Sequence, residues 1–268
     1  MNTNHIKELS IQVNLNGLSF CILNRSENCI TYLDHLNFDK KLTPSSILEE
    51  IKKTLSSNTV FSEAFNSVNL IYQNELATIV PQSLYDELHK ADYLKFNSKI
   101  LQTDFIEHDE IVINDSVVVY VPYMNINNYI FETFGEFTFK HASTVLIDNL
   151  LQRFAKLETQ EVFINVNSAH IEMVVVNHGA LQFYNYFEYQ TVEDFIYYVL
   201  FSLEQLQFNP EEIVVNLTGD IEKDDALYTI AYKYIRHIQF YTPDYIFKIS
   251  DNKQLKQPYQ HFIILNSF

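Results

Sequence analysis

The side chains best suited to chemistry in this 268-residue sequence are few, and their spacing limits what they can do. Glu107-His108-Asp109-Glu110 sets four possible metal ligands side by side. Zinc sites usually draw on two such clusters, and no second cluster matches this one, so the run reads as a solvated turn between two strands. None of the nine histidines falls in a His-Glu-x-x-His spacing. His170 and His178 read as solvent-facing residues flanking a hairpin strand, and His237 and His261 as core or rim residues near apolar strands. There is no Gly-x-Ser-x-Gly elbow and no Gly-x-x-x-x-Gly-Lys loop. Cys21 and Cys29 read as free thiols on one hairpin, with Cys21 inside a strand and poorly placed for attack. Asp224-Asp225 complements the start of a helix, or, with Glu222 and Lys223, closes a nucleotide cleft. These residues yield no catalytic group and no metal site.

Charge narrows the classes further. Asp and Glu number 34 against 18 Lys and Arg, a formal net charge of −16. Nucleic acid and anionic membranes both need a basic surface, so neither is an expected partner, whereas a basic protein partner is compatible. No apolar run approaches the roughly 18 residues that span a bilayer; the longest candidate is Val117 to Val121. Met1 to Lys7 is polar and lacks the apolar stretch of a signal peptide. The expectation is a cytoplasmic chain without membrane insertion. At 47% hydrophobic and 15% aromatic residues, there is ample material for a core.

The elements that must position any site come in two copies. Glu8 to Ser26 aligns without a gap on Glu161 to Gly179, with identities at Glu8/Glu161, Ile11/Ile164, Val13/Val166, Asn14/Asn167 and Asn24/Asn177. Leu9, Ile11 and Val13, like Val162, Ile164 and Val166, alternate with other residues, the period of a half-buried strand. A polar break, a second strand (Leu18 to Leu23; Ile171 to Val176), a turn and a third strand (Ile30 to His35; Leu181 to Phe187) follow in each copy. Each three-stranded meander leads to a helix. Thr43 and Pro44 start the first as N-cap and first helical residue, with Ile47, Leu48, Ile51 and Leu55 as its apolar face. Thr191 starts the second, with Asp194 three residues on as a capping box, and Val192, Phe195, Ile196, Val199, Leu203 and Leu206 make a wide apolar face. Strands at Val68 to Tyr72 and Glu212 to Leu217 complete a β-β-β-α-β order in both.

Between the copies the patterning predicts a strand at Ala77 to Val80, a helix from Gln82 to about Lys90, and a strand pair within Glu110 to Val121 turning at Asn114-Asp115. A helix at Ile126 to Phe134, a short strand at Glu136 to Lys140 and a helix at Ser143 to Leu157 come next. The fold class is α/β with mixed sheets in two similar halves, residues 1–156 with inserted elements and residues 157–268.

Two copies of β-β-β-α-β, each opening on a tight hairpin, resemble the actin-like ATPase superfamily, whose halves are RNase H-like. The pilus-assembly members of that group, which pair with short peptides of membrane proteins, look most similar. Within it the chain resembles an uncharacterised bacterial family of about this length. The superfamily normally ends the first strand of each half with hydrophobic-Asp-hydrophobic-Gly, the acid positioning metal and water and the glycine admitting phosphate. Here the two segments read Ile11-Gln12-Val13-Asn14 and Ile164-Asn165-Val166-Asn167. Both acids are amides and both glycines are asparagines, which tolerate positive φ and so preserve the turns. The basic residue sometimes placed on the second strand is also missing, with Ser19 and Glu172 there instead. Leu217-Thr218-Gly219-Asp220 follows a strand and resembles the adenosine-contacting glycine segment, with Asp220 in place of its second glycine; a plain strand-to-loop turn is the alternative.

The resemblance therefore implies nucleotide-cleft positions at Gln12, Asn14, Asn165, Asn167 and Gly219, but degenerate ones, and no cofactor is expected. A non-catalytic interaction or scaffold protein is the leading reading. The alternative is an ATP-binding protein with weak or atypical hydrolysis in the inter-half cleft, and a third is unrelated chemistry in that cleft. Phe183, Tyr184, Tyr186, Phe187 and Tyr189, followed by Phe195, Tyr197, Tyr198 and Phe201, crowd one strand and the next helix. One face of that strand can be core; the other is core under a helix, or a surface for a peptide or for a homodimer.

Overall fold

A computed structural model describes residues 6–96, 98–250, 257 and 259–268. In chain order the elements are β1 (Lys7–Asn14), β2 (Gly17–Asn24), β3 (Cys29–Asn37), α1 (Pro44–Ser57), β4 (Ser67–Tyr72), β5 (Ala77–Pro81) and α2 (Lys90–Lys95). There follow β6 (Glu107–Ile111), β7 (Ser116–Tyr120), α3 (Met124–Phe134), β8 (Thr138–His141) and α4 (Ala142–Phe154). Next come β9 (Gln160–Val166), β10 (His170–Asn177), β11 (Ala180–Glu188), α5 (Val192–Gln205) and β12 (Val214–Gly219). The last are α6 (Ala226–Tyr234), β13 (His237–Phe240), β14 (Lys248–Ile249) and α7 (Phe262–Leu265). The chain divides into two compact units, with a boundary at Val145/Leu146 inside α4. Residues 245–250 and 263–268 return to the first unit.

The first unit holds a mixed sheet in the order β14-β3-β2-β1-β4-β8. β1, β2 and β3 pair antiparallel, and β4 and β8 join in parallel. Every residue of β2 is buried, so both faces of the sheet are covered along it. The second unit holds β11-β10-β9-β12-β13 with the same directions. Both sheets thus run third-second-first-fourth, continued by a fifth strand beside the fourth. The two copies even share an irregularity. A bulge leaves Thr31 unpaired between Ile22 and Leu23 of β2, and another leaves Gln182 unpaired between Val175 and Val176 of β10. Because a bulge changes register and re-aims every side chain beyond it, a shared bulge ties the two meanders together more firmly than five identities do.

Local chemistry starts the two helices as the sequence predicts. Thr43 caps α1 by accepting from the Ser46 N–H, and Thr191 and Asp194 form a reciprocal capping box on α5. Phe195, Ile196, Val199 and Leu203 of α5 bury against Val162, Ile164 and Val166 of β9, each side chain contributing about 1.5–3 kcal/mol by leaving water. Ala231 of α6 enters the same core, as do partly buried Phe183 and Phe187 of β11.

The segment between β4 and α3 departs from the expected pattern. The helix expected from Gln82 to Lys90 is two short 3-10 turns, Gln82–Leu84 and Glu87–His89, and α2 starts only at Lys90. Tyr85 and Asp86 are extended between those turns, and the Asp86 carboxylate accepts the Leu88 N–H. That local bond competes with helix for the backbone donor. β5, β7 and β6 form a separate antiparallel sheet, over which Leu94 of α2 packs with Val80, Val117 and Val119.

Candidate functional site

At the end of β1, Gln12 donates from Nε2 to Oε1 of Gln73 at 2.8 Å. Asn14 accepts the Asn16 N–H on Oδ1 at 2.7 Å and donates from Nδ2 to the Gln73 carbonyl at 2.9 Å. One residue beyond β4 therefore engages both positions. Neither Asn14 nor Asn167 has a positive φ, contrary to the expectation. Asn14 holds its hairpin with a side-chain cap, which asparagine does well.

At the end of β9, buried Asn165 donates from Nδ2 to Oε2 of Glu172 at 3.0 Å and accepts from the Thr218 hydroxyl at 3.2 Å. Glu172 is fully buried and also accepts the Tyr184 hydroxyl at 3.2 Å. Register explains the meeting, since Asn165 lies opposite Glu172 on β10 and Thr218 on β12. Asn167 donates its N–H to the His170 carbonyl at 2.9 Å, and its own carbonyl accepts the Tyr189 hydroxyl at 2.5 Å. Its side-chain Nδ2 is buried and finds no hydrogen-bond partner among the described residues. Burial first, and then the nearby acids Asp220 and Asp225, push the Tyr189 phenol up to about 12.

Thr218 and Gly219 belong to β12 rather than to a loop after it. Gly219 lies opposite Val166 with φ +86°, and a Cβ there would stand 2.2 Å from the Val166 carbonyl oxygen and 2.8 Å from Oδ1 of Asn165. Only glycine fits that approach. The corresponding residue of the first sheet, opposite Val13, is Tyr72. It is fully buried, with its hydroxyl on Oδ1 of Asn127 at 2.6 Å.

The acidic run Glu107-His108-Asp109-Glu110 is strand β6, not a solvated turn. Asp109 points inward and accepts three bonds: the Tyr120 hydroxyl at 3.1 Å, the His141 N–H at 2.7 Å and the Thr144 hydroxyl at 2.7 Å. His141 and Thr144 flank the start of α4, so Asp109 caps that helix from another strand. Burial raises the Asp109 carboxyl above its ordinary value, against the lowering effect of the three donors. Among the described residues no three His, Cys, Asp or Glu side chains form a metal-holding group. Burial also pushes the Cys21 thiol up, which keeps it protonated and inert. His170 is buried and stacked on Tyr186 at 4.4 Å, where a solvent-facing residue was expected.

His141 carries a pH dependence. Its ring is fully buried, with Nδ1 on the Ser143 hydroxyl at 2.7 Å and Nε2 facing the Asn74 carbonyl at 3.2 Å. Burial lowers its pKa from 6.5 to about 4. Between those values the unfolded chain takes up a proton that the folded chain refuses, so stability is complete above pH 6.5 and falls as pH drops. The full loss is about 3 kcal/mol by pH 4. Urea unfolding at pH 7.5 and pH 5 should show this decline, and His141→Gln should flatten it; equal slopes in the two proteins would refute the assignment.

Nothing in the sequence marked Gln73, and the sequence placed Thr218 in the glycine segment and Asp109 in the acidic run without their bonding partners. The alignment offset that pairs Gln12 with Asn165 also pairs Ser19 with Glu172, which was the available signal for Glu172. Ser19 bonds to His35 at 2.8 Å in the first sheet.

Solved structures share this fold. A Bacteroides thetaiotaomicron protein described as having an actin-like ATPase fold and unknown function superposes with a TM-score of 0.77 at 23% identity, over 87% of this chain and 89% of that one. A PilM–PilN type IV pilus biogenesis complex gives 0.64 at 12% identity, over 98% of each chain. The ethanolamine utilization protein EutJ from Carboxydothermus hydrogenoformans gives 0.51 at 6% identity, over 98% and 90%. No curated protein matches. Among the described residues no helix is long and apolar enough to cross a membrane. The two sheets of equal strand order are those of the actin-like ATPase fold, and the sequence matches over residues 1–238 the family described as "Protein of unknown function (DUF3822)", to which this chain belongs.

Proposed function

We propose that the chain is a non-catalytic interaction or scaffold protein on an actin-like ATPase fold, a pseudo-ATPase with degenerate phosphate loops. One observation carries this reading. The strand-end side chains are amides already committed to neighbours, Gln12 to Gln73 and Asn165 to Glu172 and Thr218. Mg²⁺ prefers carboxylates and water, and phosphoryl transfer relies on positioned cations to offset phosphate charge. This donor set does not fit a magnesium–phosphate group, and no lysine or arginine lies between residues 157 and 222. The neighbouring PilM–PilN complex is itself a protein pair, which favours a protein or peptide partner for this chain also.

One observation favours ATP binding with weak hydrolysis instead, namely the buried donor of Asn167, which has no partner among the described residues. Calorimetric titration with ATP, with and without Mg²⁺, alongside phosphate-release assays separates the readings. We expect no Mg²⁺-dependent turnover above background. Turnover by the wild-type protein defeats the pseudo-ATPase reading, and ATP binding that Asn167→Ala abolishes establishes the second one.

A further inference from the structure

The two halves supply an internal control for the outer face of α5. α1 and α5 are each 14 residues long and occupy the same place in the repeat. Their buried faces correspond, Ile47, Ile51 and Leu55 of α1 matching Phe195, Val199 and Leu203 of α5. Their outer faces do not. The exposed stripe of α1 contains Glu49 and Lys53, whose charges are met on the helix surface by Lys52 at 2.8 Å and Glu50 at 3.2 Å. At those positions α5 has Tyr197 and Phe201, which are 59% and 44% exposed. Their rings stack at 5.8 Å, and Glu193 and Glu204 lie at the two ends of the stripe. α6 shares its core with α5.

We propose that this face of α5 docks a partner-protein segment rich in arginine or lysine, the cations lying over the Tyr197–Phe201 rings and against Glu193 and Glu204. The proposal rests on the interaction-protein reading and deepens it by naming the surface and the partner's chemistry. Charge complementarity selects the occupant. Residues 157–222 contain 11 Asp and Glu and no Lys or Arg, so this stretch of the chain supplies no cation of its own. A second copy would set the same glutamates against each other, and an anionic ligand would meet only acids. Cations are attracted to aromatic faces and carboxylates together, and the chain already makes that pairing internally. Lys52 lies 5.6 Å from the Tyr129 ring centroid while bonded to Glu49 at 2.8 Å.

The stripe from Glu193 to Glu204 spans on the order of 16 Å along the helix, which sets the probe. The test uses a fluorescent 16-residue Ala/Leu helical peptide bearing arginines along one face, and the same peptide with glutamate at each of those sites. Anisotropy should show salt-sensitive binding of the arginine peptide and none of the glutamate peptide. Tyr197→Ala with Phe201→Ala should weaken binding about tenfold. Glu193→Gln with Glu204→Gln should weaken it several-fold and flatten its salt dependence. Both variants alter exposed side chains, so an unchanged Tm confirms their folds. The proposal is overturned if neither peptide binds, if both bind alike, or if the aromatic variant binds as wild type does. It is also overturned if sedimentation reveals a dimer that this variant abolishes. The titration contains no nucleotide, so ATP turnover, if found, is a separate outcome.

Discussion

Gly219→Ala should lower the free energy of unfolding by about 4 kcal/mol, while Gly135→Ala costs about 1 kcal/mol. Both glycines have φ above +80°, so both substitutions incur the left-handed penalty. Only the first meets matter. Among the described residues nothing lies within 4 Å of a Cβ at 135, whereas at 219 it falls 2.2 Å from a backbone oxygen and 2.9 Å from the Val166 nitrogen. Those atoms belong to β9, which pairs with β12 along its length, so relief requires prising two central strands apart. Urea denaturation of the two variants measures the difference. Equal losses would mean that β9 yields easily and that Gly219 is not dictated by packing.

Asp109→Ala is the second large effect, with an expected loss of about 3–5 kcal/mol. It leaves the Tyr120 hydroxyl, the His141 N–H and the Thr144 hydroxyl without their acceptor, and each buried orphan costs about 1–3 kcal/mol unless it finds another partner. Asp109→Asn keeps a carbonyl oxygen for the donors of α4 and offers an amide to the phenol, so it should recover more than half of that loss. Thermal unfolding followed by near-ultraviolet circular dichroism distinguishes the two, with a fall of roughly 8–15 °C for alanine. If asparagine proves as damaging as alanine, the charge rather than the hydrogen bonding stabilises the start of α4.

What was legible in the sequence was local. Alternation at Leu9, Ile11 and Val13 located β1, and Thr43-Pro44 and Thr191 with Asp194 located two helix starts, because each signal lies within one turn or one strand. The repeat then carried the strand order, since equal patterns adopt equal sheets. The misses share the opposite property. Asp109 looked solvated because its partners His141 and Thr144 lie 32 and 35 residues away. His170 looked exposed because its cover includes the ring of Tyr186 on the neighbouring strand, 16 residues away. The break at Asp86 is local, but the sequence alone does not say whether an aspartate caps a new turn or sits on a helix surface. At the candidate site, the amides and Gly219 were visible by alignment with the resembled motif. Their engagement by Gln73, Glu172 and Thr218 depends on register across strands distant in sequence.

The way the later chain returns to the first unit has a consequence for biosynthesis. The Ser10 hydroxyl meets that of Ser267 at 2.6 Å, across 257 residues. β14 pairs with Cys29 and Ile30 at the start of β3's outer edge, with the Lys248 N–H on the Asn28 carbonyl at 2.9 Å. At about 5–20 residues per second, the interval between making Ser10 and making its partner is roughly 13–50 s. During it the second unit's sheet can form from contiguous chain, while the start of β3 keeps unsatisfied backbone groups able to recruit foreign strands. Of the two units, the one begun first is thus the one completed last. A ribosome stalled before residue 245 would carry a first unit that still lacks β14 and residues 263–268, a natural substrate for chaperones rather than a folded half.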